Sequence, residues 1–181
     1  MFQQFIGKPF WVGLGMIVLT FLIAIFSYAF SLSLPFLMLI GVAMIILTIK
    51  NPSVGLMGVF LELFSNPHGH LIFFQNESLT VSLRMVIFVS FFLGYGIHFF
   101  RSTTSVRFLT FQPILFFIPL LVGICIGFLN GFFSQNVSAV ISDGNAYFFL
   151  LYLIPILSRQ WSESDRRTAL QVLFAGAVWN G

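Results

Sequence analysis

Charge is what this chain has least of. Only 7% of its 181 residues are Asp, Glu, Lys or Arg, against about 25% in an ordinary soluble domain. Too few polar side chains exist to clothe a globule in water. Cysteine is nearly absent too: Cys125 is alone and lies inside an apolar run. An intramolecular disulfide and a metal site built on paired cysteines are both excluded. The chain has no Walker motif, no GxSxG and no HExxH, so nothing points to nucleotide, serine or zinc chemistry. No metal and no cofactor are expected. Repeats, low-complexity tracts and soluble domains are also missing. No secretory cleavage pattern comes after the first apolar run, which is long for a signal peptide; it reads as an uncleaved first helix.

What is present is apolar: 59% of residues are hydrophobic and 26 are Phe, with a mean hydropathy of +1.03. The fold class expected is all-α, a polytopic transmembrane helix bundle of about six to seven spans, forming one transmembrane domain over 1–181 with membrane lipid as its main partner. No charge occurs between Pro9 and Ile49, enough for two crossings at about 20 residues each. Ser31–Pro35 is the natural break, because Pro is tolerated at a helix start and disfavoured inside one. The spans expected are near 10–30, 34–49, 53–65, 81–100, 113–133, 144–157 and 168–181. The third is short and carries Glu62. The last stops at Gly181, which suggests the N-terminal part of a longer membrane protein.

Numbering the spans sorts the charges. Lys8, Lys50, Arg101, Arg107, Arg159, Arg166 and Arg167 all fall in one compartment, and only Arg84 does not. Cytoplasmic loops retain Lys and Arg, so the N-terminus is expected inside, and span three must cross for the sorting to hold. The same bias accounts for the net charge of +3. The positive residues sit in short loops and form no patch, so a nucleic-acid partner is rejected.

Two ionisable residues stand closest to the hydrocarbon. Charges inside a membrane usually face the protein and pair, so Glu62 and Arg84 are a candidate ion pair joining spans three and four. The competing arrangement has Arg84 snorkelling to the outer headgroups while Glu62 faces water. His68 and His70 flank Gly69 in an outer loop; they could bind a metal or handle a proton, and an exposed turn explains them more simply. His98 reads as interfacial. Asp143 and Asn145 lie at the outer mouth of span six, as a helix cap with a polar neighbour or as contacts to a polar substrate. Gly123, Gly127 and Gly131 share one face of span five, where small residues let helices pack closely in lipid.

Three stretches carry a resemblance: Leu61-Glu62-Leu63-Phe64 before a Gly-containing turn, Ser82-Leu83-Arg84 leading into span four, and Asp143–Phe149 running on to Pro155. With the order of the apolar runs, the chain resembles the N-terminal half of the O-antigen ligase and polymerase family of bacterial membrane proteins. The resemblance implies a multi-pass protein of the inner membrane, glycosyltransferase-like, in the assembly of lipopolysaccharide glycans. It would act at the outer face on glycans carried by undecaprenyl diphosphate. It also implies that the family's large periplasmic loop, with its essential basic residues, comes later than position 181. No catalytic residue is therefore expected within this stretch, which alone would be inactive.

Two other classes remain open. A secondary transporter also uses broken helices and intramembrane charges, and a non-catalytic membrane subunit could pack through the glycines of span five.

Overall fold

A computed structural model describes residues 6–65, 71–76, 79–101, 111–133, 149–157 and 161–180. It is mostly helical. The chain divides into two compact units: Met1–Thr103 with Trp161–Gly181, and Thr104–Gln160. The first unit holds α1 (Lys8–Ala29), α2 (Ser33–Lys50), α3 (Pro52–Ser65), a hairpin of β1 (Phe73–Asn76) and β2 (Leu79–Ser82), and α4 (Leu83–Arg101). The second holds α5 (Phe111–Phe133), a 3-10 turn (Phe149–Tyr152) and the short α6 (Leu153–Leu157). The closing helix α7 (Glu163–Asn180) belongs to the first unit. Helices α1, α2 and α4 are long and apolar enough to cross a membrane.

Local chemistry explains where the helices stop. After α1 the chain makes a Schellman turn: Leu32 N–H donates to the Ser27 carbonyl at 2.9 Å and Ser31 N–H to that of Tyr28 at 3.4 Å. Such a turn needs a left-handed residue after the cap, and Ser31 supplies it at φ 55°. Between α2 and α3 one residue serves both ends. Asn51 N–H donates to the Leu47 carbonyl at 2.8 Å, closing α2. Its side-chain oxygen accepts from Ser53 N–H at 3.0 Å, and Pro52 is the first helical residue, where its missing N–H costs nothing.

Within the mostly helical fold, β1 and β2 pair antiparallel, with Phe73 opposite Ser82 and Phe74 opposite Val81. Aromatic and β-branched residues suit a pleated strand, and α4 starts only after it, with the Ser82 hydroxyl accepting from Met85 N–H at 3.3 Å. The last helix begins at Glu163, not Thr168. Ser162 and Asp165 form a reciprocal capping box: the Ser162 hydroxyl accepts from Asp165 N–H at 3.0 Å, and the Asp165 carboxylate accepts from Ser162 N–H at 3.3 Å. That exchange satisfies two orphan donors and turns the charged segment into the first helical turn. For the expected span over 144–157, 149–157 forms the 3-10 turn and α6, and 144–148 lies outside the described residues.

Contacts fix the helix directions in the first unit. Helices α2 and α4 run parallel: a Cβ on Gly41 would sit 3.0 Å from Ser90 Oγ, and one on Gly94 2.9 Å from the Ile45 carbonyl. His98 Nδ1 lies 2.9 Å from the Ile49 carbonyl, one of the orphan acceptors at the end of α2. Helix α3 returns antiparallel to α2, with Gly55 on Thr48 and Gly58 on Met44. Helix α7 runs alongside α3, Gly176 against Phe64, and Asn180 donates to the Phe64 carbonyl. Helix α1 runs with α7, Phe10 against Phe174 and Phe21 against Trp179. The starts of α1, α3 and α7 thus share one end with the finishes of α2 and α4. Lys8, Lys50, Arg101, Arg166 and Arg167 all lie there, and Arg84 lies toward the other.

This arrangement also accounts for the short α3. Fourteen residues reach only about 21 Å at about 1.5 Å per residue, less than a hydrocarbon core of about 30 Å. Yet α3 packs against α1, α2, α4 and α7, and Gly55, Leu56, Met57, Val59 and Glu62 are all buried. Most of its surface is covered by these neighbours, with Val54 and Phe64 left exposed. The outward faces of its neighbours are apolar, with Trp11, Leu22, Met38, Leu39, Val89 and Leu93 each more than half exposed.

Candidate functional site

Glu62 lies in the last turn of α3 and Arg84 in the first turn of α4. Because α3 runs against α4, these turns meet. Arg84 Nε donates to both carboxylate oxygens of Glu62, at 3.3 Å each. The Glu62 side chain is 6% exposed and that of Arg84 18%. Glu62 is thus the more deeply enclosed of the two side chains. Charge-assisted contacts of this kind are among the stronger hydrogen bonds, and an enclosed carboxylate requires one.

The surrounding structure holds the pair in place. Leu83 N–H donates to the Ile72 carbonyl at 2.9 Å, which ties the entry to α4 to the residue before the hairpin. Ile72 and Leu83 are almost wholly buried, at 0% and 1% exposure. Phe73 meets the ring of Tyr28 edge to face at 5.8 Å, fastening the hairpin to the end of α1. Arg84 therefore projects from a backbone fixed on both sides.

The other expected site residues fare differently. His68, His70, Asp143 and Asn145 lie outside the described residues. A Cβ on Gly123 or Gly127 would meet nothing within 4 Å. The glycines with close neighbours are scattered over several helices, among them Gly41, Gly55, Gly94 and Gly176. Cys125 is exposed on α5. Among the described residues no three His, Cys, Asp or Glu side chains gather as a metal site would require.

Sequence reasoning passed over two features. Thr48 is wholly buried and gripped between Gly55 and Gly94; its hydroxyl donates to the Met44 carbonyl at 2.8 Å. His98, read as interfacial, joins the ends of α2 and α4. Pairing Gly94 with His98 four residues on, along one face of α4, was the available signal.

Chemically, the pair is an anchor. The guanidinium is neutralised by Glu62, so it presents little unpaired charge for an anionic ligand. It joins the last turn of α3 to the first turn of α4. No family model, curated protein or solved structure matches the chain.

Proposed function

We propose that this chain is a multi-pass protein of the bacterial inner membrane, with its N-terminus in the cytosol, and forms the N-terminal membrane portion of an O-antigen ligase or polymerase-like protein. The observation that carries the membrane placement is the gathering of Lys8, Lys50, Arg101, Arg166 and Arg167 at one end of the first unit. Cytoplasmic ends keep basic residues, and apolar side chains cover the flanks between. The glycan assignment rests on the resemblance of the 61–64, 82–84 and 143–155 stretches, and the anchored Glu62–Arg84 pair near the opposite end is compatible with it.

In this reading the first unit is a scaffold below the outer membrane face. Undecaprenyl diphosphate is the leaving group when an acceptor hydroxyl attacks the sugar carbon. Such a reaction needs cations to hold the departing diphosphate and a base to take the hydroxyl proton. Arg84, occupied by Glu62, positions helices for that chemistry and does not supply it.

Deleting the gene from its host tests the assignment. Undecaprenyl-diphosphate-linked glycan is expected to accumulate in the membrane fraction while the finished polysaccharide is lost. An unchanged glycan profile together with loss of uptake of a solute would contradict this and favour the transporter.

A further inference from the structure

The basic end of the first unit contains a cleft away from the Glu62–Arg84 pair. Gly7 and Lys8, at the start of α1, face Glu163, Ser164, Arg167, Thr168 and Gln171 of α7 across about 530 Å³. Sites for small molecules span about 300–1,000 Å³. Two cations, Lys8 and Arg167, reach it from helices far apart in sequence. Ser164 and Thr168 add hydroxyls one turn apart, and the amide of Gln171, 3% exposed, forms part of the floor. Gly7 keeps that floor open, since a Cβ there would lie 2.7 Å from Gln171 Oε1. The capping box takes up the amides of Ser162 and Asp165, and the side chains of Lys8 and Arg167 bring positive charge to the cleft. Glu163 places one carboxylate among the two cations.

We propose that this cleft binds the phosphodiester of an anionic lipid headgroup, of the phosphatidylglycerol type. The proposal rests on the membrane reading, which sets this end at the level of the cytoplasmic headgroups. Basic pockets between helices on that side hold lipid phosphates. The balance of charge favours a diester. Two cations and one carboxylate leave a single net positive charge, matching the single negative charge of a phosphodiester. Glu163 opposes the second charge of a free phosphate.

The test titrates the full chain in neutral detergent micelles with short-chain phosphatidylglycerol, phosphatidylcholine or inorganic phosphate, reading bound species by native mass spectrometry. Each cation near a headgroup is worth roughly fivefold, so Lys8→Gln with Arg167→Gln is expected to weaken phosphatidylglycerol binding by about 30-fold. Lys50→Gln with Arg101→Gln, at the same end and outside the cleft, is expected to leave it unchanged. All four side chains are exposed, and circular dichroism checks that the helices persist. Equal binding of both lipids, or equal loss in both double variants, would overturn the cleft. Inorganic phosphate competing at the same concentration as the lipid would overturn the headgroup assignment. Extraction of the chain from its native membrane by alkaline carbonate would overturn the membrane reading itself. A chain that stays in the membrane without lipid preference defeats the cleft alone.

Discussion

Arg84→Ala is expected to destabilise the protein by about 3–5 kcal/mol, the usual cost of stranding one member of a buried ion pair. The Glu62 side chain is 6% exposed, so loss of the guanidinium leaves its carboxyl without the partner that offsets burial. Glu62→Ala is expected to cost less. The Arg84 side chain is already 18% exposed, and its long stem can carry the charge to the headgroups. The double variant Glu62→Leu/Arg84→Leu is expected to return close to the parent, because apolar replacement of a whole buried pair is often neutral or stabilising. Unfolding by dodecyl sulfate in mixed micelles, run as a double-mutant cycle, measures all three. Additive single effects would mean that the two side chains do not interact.

The second large effect separates two glycines on one helix. On Gly94 a Cβ would fall 2.8 Å from Thr48 Cβ and 2.9 Å from the Ile45 carbonyl oxygen. A carbonyl cannot swing aside as a side-chain tip can, so α2 and α4 must separate. Overpacking of this kind costs about 1–3 kcal/mol. On Gly96 a Cβ meets nothing within 4 Å, and Ala there gains about 0.5–1 kcal/mol of helix propensity. Gly94→Ala is therefore expected to lower the unfolding midpoint and Gly96→Ala to raise it or leave it in place. Equal shifts from the two would remove the close approach of α2 and α4. The effect matters because lipid offers no hydrophobic drive between helices, and close packing must supply it.

The long apolar helices were legible for a simple reason. From Pro9 to Ile49 the sequence contains no charge; Pro35 divides that run and Asn51-Pro52 closes it. Glu62 and Arg84 stood out for the same reason, as charges among apolar neighbours. The sequence does not say which helices turn their faces together. A stripe such as Gly123, Gly127 and Gly131 is visible within one helix, whereas the close approach at Thr48 needs Gly55 from α3 and Gly94 from α4. Each of those glycines looks ordinary in its own segment. The pairing of β1 with β2 was not legible because Phe73 and Phe74 suit a membrane interface as well as a strand. The start of α7 was missed because charge at Arg159–Arg167 outweighed the capping signal of Ser162 and Asp165, although a capping box is a local pattern that needs no tertiary knowledge.

Threading of the apolar helices through a membrane, with the basic end of the first unit in the cytosol, decides which positions a reagent outside the cell can reach. Single cysteines at Ser31, Arg101 and Arg166, in a Cys125→Ser background, test it with a membrane-impermeant maleimide on intact cells, the outer membrane permeabilised if one is present. Labelling is expected at position 31 alone, with 101 and 166 reacting only after the inner membrane is opened. Labelling at 101 or 166 in sealed cells would contradict it.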